Sequence, residues 1–280
     1  MQGFKGSAAR CVTAAALALL CGAVSAAPAA AAAEPPVMAA AELRVGVERL
    51  AKLCVEHSAR VDTLRTQDEL ARERQRVVGA LALLRADTTL TGRRRGQLLR
   101  LSDGVSAFIE RIDTVRTGPA ASPGWNEVYR DSEVLAAQMS FVSTALSADL
   151  ADGGRATLVD LLTRAAATAL RVGKLNFATA AGGPVSKGLE VDLQQSLGEF
   201  SAALTAISSQ QLPDQRMQDD LELARNQWVL FRAALDDHGR VKDPRRLPQV
   251  ATTADRIAQS LLAIAQRAMR QGAAEAARRA

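Results

Sequence analysis

Apolar residues recur at three- and four-residue intervals along most of the chain, which is the spacing of one face of an α-helix. The first such run places Leu43, Val47, Leu50, Cys54 and Val61 on one face. Short stretches rich in Gly, Pro, Asp and Thr interrupt this pattern and indicate connections. The pattern predicts about eight helices and no strand, at residues 41–64, 67–86, 93–116, 123–150, 155–180, 185–209, 214–236 and 249–277.

The amino-acid composition agrees with an all-helical chain. Alanine, leucine, arginine and glutamine are abundant, whereas aromatic residues make up only 3%. Unbranched side chains favour helix over sheet, and aromatic and β-branched side chains favour sheet. We therefore expect an all-α fold.

The two halves of the chain resemble each other. Residues 98–112 can be laid on residues 221–235 at an offset of 123, with apolar positions in register. In the first predicted helix of each half, Arg60 can be laid on Arg171 at an offset of 111, which implies an insertion near the turn at residues 182–184. The repeat predicts two tandem antiparallel four-helix bundle repeats, at residues 41–151 and 152–278.

The N-terminus has the three parts of a secretory signal peptide. Lys5 and Arg10 precede an apolar run over residues 11–24, and small residues follow up to Ala27. The run is shorter than the roughly 20 residues that a membrane-spanning helix needs, so cleavage after about residue 27 is expected. Residues 28–40, rich in Ala and Pro, are predicted to be a flexible leader. The protein is therefore expected in the periplasm or secreted, with no stable membrane span after cleavage.

Net charge does not favour nucleic acid as a partner. The formal charge is +5, and removal of Lys5 and Arg10 with the signal peptide leaves +3. Acidic residues are interspersed among the basic ones along the chain. A nucleic-acid-binding protein would instead concentrate its basic residues on one face.

Residue types that carry catalysis or bind metals are sparse. Once the signal peptide is removed, Cys54 is the one remaining cysteine, predicted to be a small buried side chain rather than a reactive thiol. His57 and His238 are not in a metal-ligand or haem-attachment spacing. No Gly-rich phosphate loop or nucleophile with a recognisable base is present. We expect no enzyme activity, no cofactor and no metal.

One stripe of the fifth predicted helix is a candidate binding site. Arg164, Thr168, Arg171 and Lys174 follow each other at steps of four, three and three residues. Such a stripe can hold a small anion by charge-assisted hydrogen bonds. The alternative is a solvated face in which Asp160 and Arg164 form an ordinary ion pair four residues apart.

Arg60 is the candidate counterpart of Arg171 in the first repeat. If the two repeats pack as a pseudo-dimer, both arginines would face one pocket between the two first helices. The alternative for Arg60 is a local ion pair with Glu56, four residues earlier.

The chain resembles the N-terminal domain family of type IV pili methyl-accepting chemotaxis transducers, the PilJ-type domain, which is related to the periplasmic domain of nitrate-sensing histidine kinases. The family has a first-helix motif of the form Arg-Met-Leu-Ser-Gln-Arg-Met-Ala-Lys and a tryptophan near the end of the third helix. Residues 171–175 and Trp228 with Phe231 carry the resemblance in the second repeat. The first repeat has Ser58 and Arg60.

The resemblance also implies where a ligand would bind. In the nitrate-sensing relatives the earlier arginine of the motif helps to hold the anion. In the alignment above, Val55 and Ala166 stand at that position, and Thr63 replaces the motif lysine in the first repeat. The resemblance thus implies the fold and argues against nitrate recognition at those two positions.

Two functions remain open from the sequence. The first is a non-enzymatic periplasmic sensory or ligand-binding module, for a small anion, that acts through a signalling or envelope partner protein. The second is a structural interaction protein of the cell envelope that binds no small molecule. No transmitter, kinase or methyl-accepting region is present in the sequence.

Overall fold

The computed structural model describes residues 36–88, 92–117, 124–147, 153–182 and 187–279. The described residues are 89% helical and contain eight α-helices and no strands, which confirms the all-α prediction. The predicted signal peptide and residues 28–35 lie outside the described residues. None of the described helices combines the length and the hydropathy that a membrane crossing requires.

The helices run as α1 Pro36–Ser58, α2 Thr63–Ala86, α3 Gly92–Thr117, α4 Trp125–Ser147, α5 Gly153–Ala180, α6 Lys187–Ser208, α7 Gln215–Ala233 and α8 Leu247–Arg279. A short 3-10 turn, Pro244–Arg246, leads into α8. In the connection between α7 and this turn, Leu235 and Val241 form an isolated antiparallel β-bridge.

The first helix begins earlier than predicted. α1 starts at Pro36, so the flexible leader predicted over residues 28–40 is wrong for residues 36–40, and the side chains of residues 37–41 are buried. Proline is well tolerated in the first turn of a helix, and alanine has the highest helix propensity. Residues 36–40 therefore form the first turns of α1, where they pack against neighbouring helices.

The first helix also ends earlier than predicted, at Ser58 instead of residue 64. Arg60 and Asp62 have positive φ angles of 58° and 45°, which lie in the left-handed region and cannot continue the helix. The Asp62 side chain accepts a hydrogen bond from the backbone N–H of Arg65 at 3.4 Å and so caps α2. This turn contains neither glycine nor proline, and apolar residues continue through it at helical spacing. The sequence pattern therefore did not predict the turn.

The eight helices belong to one compact unit and fall in chain order into two groups of four, which we call modules. In module 1 (α1–α4), α1 contacts α2, α3 and α4, and α3 contacts α2 and α4. In module 2 (α5–α8), α5 contacts α6 and α8, and α7 contacts α8. The two modules meet where α1 packs on α5, flanked by contacts of α1 with α8 and of α4 with α5. The first helix of each module thus lies at the centre of the molecule.

The two modules share one register of buried residues. In α2 and α6 it pairs Leu70, Val77, Leu81 and Leu84 with Leu193, Phe200, Leu204 and Ile207, all at an offset of 123. In α4 and α8 it pairs Val128, Leu135, Met139 and Val142 with Val250, Ile257, Leu261 and Ile264, at an offset of 122. The first helices share the offset of 122, since α1 ends at Ser58 and α5 at Ala180.

The predicted offset of 111 for the first helix, and with it the insertion near residue 182, is therefore wrong. The error is 11 residues, which is three helical turns of about 3.67 residues each. A slip of that size leaves every side chain on the same face of its helix. An apolar pattern alone consequently cannot distinguish the two registers.

Candidate functional site

Lys174 lies at the centre of the boundary between the modules and is fully buried. Its Nζ lies 2.7 Å from an oxygen of Glu48 on α1 and 2.9 Å from Glu133 on α4. The same nitrogen donates a hydrogen bond to the Ser132 hydroxyl at 2.8 Å. The lysine therefore ties α5 of module 2 to two helices of module 1.

Arg171 reinforces this contact one turn earlier on α5. Its Nη2 and Nε donate to the two carboxylate oxygens of Glu133 at 2.8 and 3.1 Å, a bidentate pair. Its Nη1 donates to the Ser196 hydroxyl of α6 at 3.1 Å. Arg171 therefore bridges α4 and α6 and has carboxylate partners within the protein.

The pKa values in this cluster indicate how its charges compensate each other. Burial raises the pKa of Glu48, while the positive charge of Lys174 opposes that rise. Burial would also raise the pKa of Glu133, but Lys174 and Arg171 outweigh it and lower that pKa. Two cations face two carboxylates in this cluster, so no excess positive charge remains for an external anion here.

A second cluster of the same kind surrounds Lys52 of α1, which is also fully buried. Its Nζ lies 2.7 Å from Asp255 on α8 and 3.0 Å from Glu56. Arg65 of α2 also contacts Glu56. Burial raises the pKa of Glu56, and the charges of Lys52 and Arg65 oppose that rise.

Arg49 stands in the second cluster where Arg171 stands in the first. Its Nε lies 3.4 Å from Asp255 of α8, and its Nη1 lies 3.6 Å from Glu73 of α2. In both modules, therefore, an arginine and a lysine three residues later on the first helix contact a carboxylate on the fourth helix of the other module. The sequence signal for this symmetry was the pair of segments 49–53 and 171–175, both of the form Arg-x-x-Lys-Leu.

The structure does not bring Arg60 to this boundary. It is exposed in the turn after α1, and the nine residue-to-residue steps from Arg49 to Ser58 alone span about 13 Å of helix. Its predicted partner Glu56 is occupied by Lys52 and Arg65. The predicted pocket between Arg60 and Arg171 is wrong because it rested on the slipped register. The predicted Arg60–Glu56 pair is wrong because α1 ends at Ser58, before Arg60.

Arg164 and Thr168 lie on the same stripe of α5 but make local contacts. Arg164 Nη2 lies 2.5 Å from Asp160, as the solvated-face alternative predicted. The Thr168 hydroxyl donates to the backbone carbonyl of Arg164 at 2.9 Å. The four candidates of the stripe therefore do not converge on one anion.

Asp160 connects the stripe to Arg44, a residue that sequence reasoning did not single out. Arg44 of α1 donates Nη1 to Asp160 at 2.8 Å, and its side chain is only 5% exposed. Its Nε and Nη2 have no hydrogen-bond partner among the described residues. Because Arg44 and Arg164 share the single carboxylate of Asp160, the three side chains together carry one net positive charge.

The edge of the Arg44 guanidinium formed by Nε and Nη2, which we call its free edge, is suited to an oxyanion. The N–H groups on Nε and Nη2 lie on one side of the planar guanidinium and match two oxygens of one oxyanion. Leaving buried charged donors unpaired is costly, so a complementary acceptor at this edge stabilises the site. Arg44 was missed because the slipped register placed Val55 at the position that Arg44 occupies, five residues before Arg49.

The described residues contain no group of three or more His, Cys, Asp or Glu side chains that could hold a metal ion. Comparison of the chain with protein-family models, with curated proteins and with solved structures returns no match.

Proposed function

We propose that this protein is a non-enzymatic sensory or ligand-binding module of the periplasm that holds one small oxyanion at Arg44 and acts through a partner protein. The observation that carries the proposal is the buried guanidinium of Arg44, whose Nε and Nη2 edge has no acceptor among the described residues. The local excess of one positive charge over Asp160 suits a monoanion.

The position of Arg44 supports a sensory role. Arg44 belongs to α1 of module 1 and its carboxylate partner Asp160 belongs to α5 of module 2. An anion at the free edge of Arg44 would compete with Asp160 for the same guanidinium charge. Binding would therefore change the free energy of the contact between the modules, and a partner protein can detect such a change.

The family resemblance supports the same site. Arg44, Arg49 and Lys52 have the spacing of the two arginines and the lysine in the first-helix motif of the PilJ-type family. In the nitrate-sensing relatives the earlier of these arginines helps to hold the anion. In module 2 the corresponding position is Ala166, so each chain would offer one such arginine and bind one anion.

The experiment is thermal unfolding of the purified protein against nitrate, nitrite and sulfate at constant ionic strength. An anion at a hundred times its dissociation constant stabilises the folded state by about 2.7 kcal/mol, which raises Tm by about 5–10 °C for a chain of this size. The shift should be selective for one anion and should vanish in Arg44→Met.

Arg164→Ala is the matched control, because it removes the other arginine that shares Asp160 and leaves the free edge of Arg44 in place. It should weaken the anion response, because the site loses one positive charge, but a selective shift should remain since the donors of Arg44 are intact. A shift that survives in Arg44→Met, or no shift with any of the three anions, contradicts the proposal.

The second candidate function is an interaction protein of the cell envelope that binds no small molecule. The exposed apolar outer face of α4, with Phe141 72% exposed, favours it. An absent anion response together with capture of an envelope protein through that face would establish this second function instead.

A further inference from the structure

The outer face of α4 is unusually apolar for a surface helix. Val134 is 58% exposed and Phe141 is 72% exposed. From residue 134 to the end of α4 at residue 147 there is no Asp, Glu, Lys or Arg. A helix face that meets only water normally carries charged side chains, so this face is suited to contact with another protein surface.

Module 2 provides an internal comparison for this face. At the offset of 122, the same stretch of α8 covers residues 256–269 and contains Arg256 and Arg267, and Ala263 stands in place of Phe141. The two fourth helices share the same buried positions. Packing within a module therefore does not require an exposed phenylalanine at this point.

A small notch lies directly beside Phe141, between α3 and α4. Its volume is about 170 Å³, and Phe141 forms part of its wall together with Gln97, Arg100, Leu101, Gln138 and Val142. A cavity of about 150 Å³ is large enough to bind benzene. Leu101 and Val142 supply apolar contacts, and the guanidinium of Arg100 can lie over an aromatic ring. The notch thus has the size and the chemistry to hold a phenyl ring.

We propose that the outer face of α4 is a homodimer interface, in which Phe141 of each copy enters the notch of the other. The exposed ring and the notch are neighbours on one patch, so a two-fold axis through that patch places each ring at the notch of the other copy. Residues 134–147 carry no charged side chain, so this stretch of α4 creates no like-charge repulsion across a two-fold axis, and Arg100 of α3 is the one charged residue in the lining of the notch. This proposal does not rest on anion binding at Arg44.

The interface is expected to be weak. We expect one helix face with its notch to bury less than the roughly 800 Å² per partner of a standard stable interface, and therefore a dissociation constant in the micromolar range. Sedimentation velocity of the purified protein from about 1 to about 200 µM should show a transition from the mass of one chain to twice that mass.

Phe141→Glu should raise the dimer dissociation constant by about 30-fold or more, as expected for a central aromatic anchor. Since the side chain is exposed, the helical circular dichroism and Tm should stay unchanged. Val229→Glu on α7 is the matched control, because Val229 is also highly exposed, at 66%, and lies on another helix. This control should dimerise like the original protein.

Three results overturn the proposal. They are a protein that stays monomeric over the whole concentration range, a dimer that Phe141→Glu leaves intact, and a dimer that Val229→Glu disrupts equally. If the protein is monomeric and Phe141→Glu instead abolishes capture of an envelope protein, the occupant of the face is that protein and not a second copy.

Discussion

Replacement of Lys174 with methionine tests whether buried ion pairs hold the two modules together. Methionine keeps an unbranched side chain of similar reach but removes the charge. Glu133 retains Arg171, whereas Glu48 loses the cation that lies 2.7 Å from it. Removal of one partner from a buried ion pair costs about 3–5 kcal/mol. A domain of ordinary stability, about 5–15 kcal/mol, would lose a large part of its free energy of unfolding.

A double-mutant cycle with Glu48→Gln separates this charge effect from a packing effect. Glu48→Gln alone leaves Lys174 with Glu133 and should cost less than Lys174→Met. In the double variant no charge is stranded at position 48. The combined loss should therefore be smaller than the sum of the two single losses, by at least about 1 kcal/mol.

The pH dependence has a definite sign. Burial already raises the pKa of Glu48 above its ordinary value of 4.5, and in Lys174→Met the opposing charge is gone, so the pKa rises further. Between the unfolded and the folded pKa the folded state binds more protons than the unfolded state, and stability then falls as pH rises. The deficit of Lys174→Met relative to the original protein should thus be smaller at pH 5 than at pH 8.

Urea unfolding followed by circular dichroism at pH 5 and pH 8 measures the loss of unfolding free energy in each variant and its dependence on pH. A loss below about 1 kcal/mol at pH 8 would refute the view that Lys174 compensates a buried carboxylate. An equal deficit at both pH values would show that the loss comes from packing alone.

Two further predictions concern the first helix. Gly46→Ala should lower the free energy of unfolding by about 1–3 kcal/mol in urea unfolding, because a Cβ atom there would lie 2.6 Å from Val77 Cγ2 on α2. Val77→Ala in the same chain should recover part of this loss. If Gly46→Ala left the stability unchanged, the close approach of the two helices would be contradicted. Burial raises the pKa of the Cys54 thiol to about 12. Iodoacetamide at pH 8 should therefore modify Cys54 in urea and not in the folded protein, as measured by peptide mass spectrometry. Equal labelling in both states would show that Cys54 is accessible in the folded protein.

Most helix positions were predictable because helix formation in this chain follows a local pattern. Each of the eight predicted segments corresponds to one α-helix of the described residues. The turn between α1 and α2 was not predicted, because it contains neither glycine nor proline and the apolar residues Val61 and Leu64 continue the helical spacing through it. The early start of α1 was missed because its Ala-rich residues become helical by burial against other helices.

The candidate site was predicted in part. Arg171 and Lys174 do lie at the boundary between the modules, but Arg60 does not, and Arg44, Arg49 and Lys52 were overlooked. The cause was a slip of three helical turns, which apolar periodicity cannot detect. The spacing of charged residues could have corrected it, because an arginine and a lysine three residues apart occur in both first helices at an offset of 122, the offset that relates α4 to α8.

The sequence by itself determined an all-helical chain of about eight helices, since periodicity and helix propensity act over a few residues and do not depend on which helices pack together. Only the tertiary structure decided which charges compensate each other. Lys174 meets Glu48 from 126 residues earlier, and Arg44 meets Asp160 from 116 residues later, through helices packed across the modules. No local pattern records such distant contacts. They decide that Arg171 and Lys174 are neutralised by carboxylates, while the buried Nε and Nη2 groups of Arg44 have no hydrogen-bond partner among the described residues.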